Sequence, residues 1–285
     1  MPELPEVETI RRGLLKMLGQ GGVIEKIHVS GKNLRCSVPL NRLRSLEGET
    51  LLGIRRRAKY LLFETSQHIL LNHLGMTGSW RLMEVSAVEN KGSNEKSKPL
   101  EAAHDHLCIR FVDGPTIVYR DPRRFGLVDV FKKGFETQSC YLSHLGPEPL
   151  AKDFSGSVLF ESSRGKKCSI KAFIMDQKIV VGVGNIYASE SLHLAGIHPG
   201  RPAGRVSLIR YQKLHGAIVK TLRSAINQGG STISDFRQAG GGIGYFQTQL
   251  KVYGRAQEPC RLCGTLIRVA VLAGRSTYWC SQCQH

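Results

Sequence analysis

No apolar run in the 285-residue chain reaches about 18 residues, the length a membrane-spanning helix needs. The basic start of a secretory signal is missing too, because Glu3, Glu6 and Glu8 stand where one would be. Acidic residues are scarce: 23 oppose 40 Lys and Arg, a formal net charge of +17. Such an excess predicts attraction to a polyanion, and without a membrane segment the expected partner is nucleic acid, not a lipid surface. The chain has no internal repeat. It also lacks the spread of cysteines that a disulfide framework needs. Four of its eight, Cys36, Cys108, Cys140 and Cys168, are scattered singly and are expected to be reduced thiols, buried or partly so.

What is present reads as an α+β chain long enough for more than one domain. Val7, Ile10, Leu14 and Leu18 share one helical face, and Gly19, Gly21 and Gly22 stop that helix. From Val23 to about Phe131 short strands follow: 23–29, 51–56, 60–64, 68–71, 79–83, 106–112, 116–120 and 127–131. Asp113-Gly114 reads as a hairpin turn. So many short strands predict a sandwich or barrel. The polar tract Glu84–Ala103 is expected to be a mobile surface loop joining two strands. Leu145–Pro149 reads as a linker, after which the period turns helical over 154–163, 169–175, 185–195 and 207–227. The domains expected are 1–145, 150–245 and 250–285.

The last of these carries Cys260-x-x-Cys263 and Cys280-x-x-Cys283, sixteen residues apart. Two such turns on a hairpin can close a tetrahedron of thiolates around one zinc ion. Val269, Val271 and Leu272 between the pairs suit that hairpin. With Lys251, Arg255, Arg261, Arg268 and Arg275 against Glu258 alone, the segment reads as a phosphate-gripping finger.

At the other end, removing Met1 would leave a secondary amine on Pro2 beside the Glu3 carboxylate. An amine next to an acid can attack a carbonyl-like carbon and move protons as it does so. Arg55, Arg56, Arg57 and Lys59 suggest a phosphate track. Asp121–Gly126 is a turn bearing Arg123 and Phe125, which could fill a gap in a base stack, and Met76 between glycines could act as a wedge. On the residues alone core packing is the somewhat better reading for Phe125 and the usual role for Met76. Gly182-x-Gly184 at a helix start offers N–H groups to a phosphate, or is equally a plain helix corner.

Taken in order, Pro2–Thr9, Arg57-Ala58-Lys59-Tyr60, His73–Met76, His104-Asp105-His106, Asp121–Gly126, Gly182–Glu190 and the finger through Arg275 to Cys280 resemble the formamidopyrimidine-DNA glycosylase family, the bacterial 8-oxoguanine DNA glycosylases. The resemblance runs over essentially the whole chain. It implies an N-terminal β-sandwich with a leading helix, a helix-two-turn-helix domain and a zinc-finger hairpin, with DNA in the cleft between the halves. It implies excision of oxidised purines from double-stranded DNA, cleavage at abasic sites by β,δ-elimination, and a structural zinc. A monomer in a bacterial cytoplasm is expected. By resemblance Pro2 is the Schiff-base nucleophile, Glu3 the acid/base, Lys59 serves the backbone and β-elimination, and Arg275 holds phosphate and assists δ-elimination. Met76, Arg123 and Phe125 match the intercalating trio, and His104, Arg123, Lys167 and Asn185 match DNA contacts. The Gly240–Gly244 loop with Tyr245 and Phe246 matches the loop that closes over the flipped base, although Lys-Pro often precedes its last glycine in the family.

Two other readings compete. One is an endonuclease VIII-like glycosylase acting on oxidised pyrimidines. The other is a catalytically silent zinc-finger binder, which the presence of Pro2, Glu3 and Lys59 argues against.

Overall fold

The structure, a computed structural model, describes residues 1–19, 21–83, 103–230 and 249–285. The Glu84–Ala103 loop, apart from Ala103, and the Gly240–Phe246 loop therefore lie outside the described residues. The contacts of the described residues group into two units: 1–2, 6–19, 21–83 and 103–142 in one, and 3–5, 143–230 and 249–285 in the other.

The chain opens on α1 (Leu4–Leu18), which begins three residues before the apolar run expected from the sequence. Pro5 can sit in that first turn because its missing N–H would have no helical partner there. Val7, Ile10, Leu14 and Leu18 are all buried, and Gly19, at φ +60°, ends the helix with its N–H on the Leu15 carbonyl.

β1 (Gly22–Val29), the short α2 (Leu40–Arg44), and β2 (Thr50–Arg57) through β3 (Tyr60–Thr65), β4 (His68–His73), β5 (Ser79–Leu82), β6 (Asp105–Phe111), β7 (Thr116–Arg120) and β8 (Leu127–Lys132) complete the first unit. All eight strands expected from the alternation are present, in the order β5-β7-β6-β1-β2-β3-β4-β8. β1 pairs with β2 only through Gly22 and Val23, then leaves it to run antiparallel to β6 from Ile24 to Val29. That switch makes the corner between two antiparallel layers. Ile24, Ile54, Phe63, Trp80, Tyr119 and Val130 form one core with the apolar face of α1. Each fully buried side chain of this size contributes about 1.5–3 kcal/mol of transfer free energy. The Trp80 indole stacks between Phe63 and Tyr119, with centroids 5.0 and 5.3 Å away. Its N–H donates to the Asn72 side chain, which in turn donates to the Leu127 carbonyl, so the buried polar atoms are satisfied.

The second unit holds α3 (Gly156–Ser163), α4 (Ile170–Met175), α5 (Asn185–Leu194) and α6 (Leu208–Asn227), then β9 (Ile267–Leu272) and β10 (Arg275–Cys280). Ser155 and Ser169 cap α3 and α4, their hydroxyls accepting from Val158 and Ala172 N–H. α6 buries Tyr211, Leu214, Ile218, Leu222 and Ile226, as its period predicts. The Leu145–Pro149 stretch is not a loose linker. Gly146 N–H donates to the Gln177 carbonyl, and the Pro147 carbonyl accepts from Val181. A Cβ on Gly146 would lie 2.5 Å from the Lys178 carbonyl oxygen, so only glycine fits. Among the described residues no helix is long and apolar enough to cross a membrane. The scattered thiols differ from expectation: Cys108 is buried, but Cys36, Cys140 and Cys168 are exposed, because they sit in connections outside the strands and helices.

Candidate functional site

Glu3 lies just before α1, yet its partners come from another helix. Its carboxylate accepts the N–H groups of Gly184 at 2.9 Å, Ile186 at 3.0 Å and Tyr187 at 3.4 Å, the opening turn of α5. Those N–H groups have no intrahelical acceptor and form the positive end of the helix dipole. The Gly-x-Gly helix start, expected to offer these N–H groups to a phosphate, instead gives them to a carboxylate of the protein itself. Gly184 is required there, since a Cβ would stand 2.3 Å from Glu3 Cδ. The backbone of Leu4 adds a bond to the Gly182 carbonyl at 3.1 Å. Pro2, joined directly to Glu3, is buried, while Met1 is 43 % exposed.

Lys171 was not anticipated. It is 1 % exposed, on α4, and its ammonium donates to Thr277 Oγ1 at 2.7 Å and the Ser276 carbonyl at 3.1 Å. Burial pulls its pKa down to about 8; the nearby Glu3 charge opposes that shift and Arg275 adds to it. Asn185 donates its side-chain N–H to the same Ser276 carbonyl at 3.0 Å. Ala273 and Gly274, at φ 49° and 71°, make the two-residue turn between β9 and β10, and Arg275 is the first, exposed residue after it. Glu3, Lys171, Asn185 and Arg275 are thus assembled within one unit.

In the other unit the wedge residues come together. Thr77 Oγ1 donates to Asp121 at 2.6 Å and accepts from Arg123 N–H at 3.2 Å. The second Asp121 oxygen accepts from Gly126 N–H at 2.7 Å. These bonds clamp the Met76 loop against the Arg123–Phe125 turn. A Cβ on Gly75 would fall 2.4 Å from the Phe125 carbonyl carbon, so the approach demands glycine. Arg124, at φ 55°, turns the tip, and Phe125 stays 44 % exposed with the Arg123 guanidinium 4.8 Å from its ring centre. Phe125 is therefore not a core residue; Met76 is half-buried. His104 is exposed, and its carbonyl accepts from Asp121 N–H at 3.0 Å. His73 is held neutral below these loops: burial first, then the charges of Arg35 and Lys59, lower its pKa to about 3, and its Nδ1 accepts from Gly75 N–H.

Lys59 follows Ala58, whose φ of 54° turns β2 into β3, and it is buried at 5 % exposure. The phosphate track around it is shorter than the sequence suggests. Arg55 is engaged by Glu64 and Glu136, and Arg56 by Glu8. Burial works to raise the Glu8 pKa, but hydrogen bonds from Arg11 and Arg12 outweigh it and keep the carboxylate below its ordinary range. Lys167 is exposed between α3 and α4, away from any strand or helix of its own.

The finger's four thiols meet the geometry of one zinc ion. Cys260 and Cys283 Sγ are 4.0 Å apart, Cys263 and Cys280 Sγ 3.4 Å, and all four lie within 4.8 Å of one another. Zinc–thiolate bonds of about 2.3 Å in a tetrahedron put sulfurs about 3.8 Å apart. With four protein ligands no coordination position remains for water, so the zinc is structural. Val252 and Ile267 pack beside the thiols as a small core, but Val269 and Val271 point outward, 46 % and 71 % exposed.

Three family models match successive parts of the chain: the formamidopyrimidine-DNA glycosylase N-terminal domain over residues 1–128, its H2TH domain over 145–237, and a zinc finger found in FPG and IleRS over 257–285. Formamidopyrimidine-DNA glycosylases of Bdellovibrio bacteriovorus and Alkalilimnicola ehrlichii are each 48 % identical to it over 284 residues, covering all of both chains. Among solved structures, Lactococcus lactis FPG with abasic-site DNA superposes at a TM-score of 0.85, with 35 % identity over 99 % of both chains. The same enzyme with Fapy-dG DNA gives 0.84 and 35 %, over 99 % of this chain and 100 % of that one.

Proposed function

The chain belongs to the formamidopyrimidine-DNA glycosylase family of base-excision-repair enzymes, DNA glycosylases that are also abasic-site lyases, and from that premise we propose that it excises oxidised purines through a Schiff base on Pro2 and then cuts the strand by β,δ-elimination. One observation supports this reading: the carboxylate next to the candidate nucleophile is fixed in place, its oxygens against three N–H groups of α5.

With Met1 removed, the Pro2 nitrogen is a secondary amine. An α-amino group has a pKa of roughly 7.7–8.0, so part of it is unprotonated near neutrality, unlike a lysine near ~10.4. The nitrogen lone pair bonds to the sugar C1′ as the C1′–N bond to the damaged base breaks. The departing base takes up a proton from solvent. The Glu3 carboxylate accepts the proton that the Pro2 nitrogen loses and passes it to the ring oxygen as the C1′–O4′ bond breaks, leaving a cationic iminium at Pro2. The iminium draws electrons from the C2′–H bond, so that proton leaves to a base and the 3′ phosphate departs; loss of the 5′ phosphate follows in the same manner. Lys59 and Arg275 bind the phosphates that leave. His104, Lys167 and Asn185 hold the strand. Met76, Arg123 and Phe125 occupy the gap left by the extruded nucleotide, as an exposed aromatic on a clamped turn can do.

Cleavage of 8-oxoguanine and thymine glycol duplexes tests the substrate class. Faster cleavage of the 8-oxoguanine duplex is expected. Preference for thymine glycol would move the assignment to oxidised pyrimidines.

A further inference from the structure

We infer that His193 is a positioning residue for the zinc centre, donating its Nε2–H to the Cys260 thiolate. The ring lies on the last turn of α5, 2 % exposed, with Nε2 3.7 Å from Cys260 Sγ. Its other nitrogen, Nδ1, is buried with no hydrogen-bond partner among the described residues. A neutral imidazole carries one proton, and the nitrogen with an acceptor in reach is the one that keeps it. A thiolate is a good acceptor, and an N–H aimed at it fixes the direction of the sulfur lone pairs before the metal binds. Cys260 Sγ also receives the Leu262 N–H at 3.5 Å, so its two donors come from separate parts of the chain: one from its own turn, one from a helix 67 residues earlier.

His193 is not itself a ligand. The four thiols form a complete mutual cluster within 4.8 Å that does not include the imidazole. Its role differs from that of Asn185 and Glu190, which also reach from α5 toward the finger. Asn185 donates to the Ser276 carbonyl, and Glu190 accepts the N–H groups of Lys251, Val252 and Tyr253, each at 2.9 Å. Both of those touch backbone. His193, one turn beyond Glu190 on the same face, touches a metal-binding atom. Through it the helix whose first turn holds Glu3 is tied at its last turn to the zinc cluster. Outer hydrogen bonds of this kind are worth about 10–100-fold in metal affinity.

The test uses the full-length zinc-loaded protein and its His193→Phe and His193→Gln variants. Phe keeps the volume and removes the donor, while Gln restores an N–H. Zinc transfer to a chromophoric chelator is expected to run about tenfold faster for His193→Phe, with Gln recovering most of the retention. In the cobalt(II)-substituted proteins, the thiolate-to-metal charge-transfer band should move to lower energy in the Phe variant and return with Gln, because the lost N–H leaves more charge on sulfur. Nitrogen NMR of the unmutated protein needs no variant to fold and should show a protonated Nε2 and a bare Nδ1. Equal zinc release and identical cobalt spectra for wild type and Phe would overturn the inference, as would a bare Nε2.

Discussion

Glu3 and Gly184 are 181 positions apart, and the carboxylate of one accepts the backbone N–H of the other at 2.9 Å. Because a Cβ at Gly184 would stand 2.4 Å from Glu3 Oε1, Gly184→Ala must push the carboxylate off its seat. Excision should fall by about 100-fold, the order of loss expected for a displacement near 1 Å, while thermal unfolding shifts far less. Glu3→Gln should lower excision at least as much, since an amide can neither ionise nor match the helix end. Single-turnover rates on 8-oxoguanine DNA, set beside melting curves, check both. Normal rates for Gly184→Ala would remove Glu3 from the acid/base role.

Lys171 links charge to stability with a definite sign. Its pKa is about 8 in the fold and near ~10.4 in an unfolded chain, so between those values the unfolded state binds more protons. Stability contributed by this group therefore rises as pH climbs from 8 toward 10.5, and below 8 the fold carries the cost of the buried ammonium. Lys171→Met removes the titration. Urea unfolding of both proteins across that range should show wild type gaining on the variant. Parallel curves would mean that the lysine keeps an ordinary pKa.

How much of this was legible in the sequence depended on distance along the chain. The strands showed themselves by alternation, and the turn between β6 and β7 by Asp113-Gly114, whose Gly114 N–H bonds back to the Phe111 carbonyl. The zinc thiols were legible because each pair is a local turn. α2 was not, since five residues with only Leu43 buried give no period to read. Lys171 gave no signal at all: a lysine in an apolar helix reads as a snorkelling surface residue, and its acceptor Thr277 is 106 residues away. For the same reason the Gly-x-Gly corner suggested a phosphate and did not reveal Glu3, 181 positions away.

Phe125 offers a separation of binding from folding. At 44 % exposure on a clamped turn it carries little of the core. Phe125→Ala should change unfolding free energy by no more than about 0.5 kcal/mol, yet lower excision from duplex DNA at least tenfold. Gly75→Ala should do both, because it forces the Met76 loop and the Phe125 turn apart. Equal loss of stability in the two variants would place Phe125 in the core after all.

Zinc removal should act on binding. With the metal chelated, or with Cys260→Ser, the hairpin of β9 and β10 loses its closure, and Arg275 at its tip loses its fixed position. Affinity for abasic-site DNA should drop while the Trp80 signal of the β-sandwich is unchanged. Unaltered affinity would deny the finger a part in holding DNA.

The central claim is that a secondary amine at Pro2 is the nucleophile. Borohydride trapping on an 8-oxoguanine duplex, done on protein whose intact mass shows Met1 removed, measures it directly. The account predicts a covalent protein–DNA adduct whose modified residue is Pro2, and none with Pro2→Gly that approaches it. An adduct of equal yield in Pro2→Gly, or one carried by Lys59 or Lys171, would contradict it.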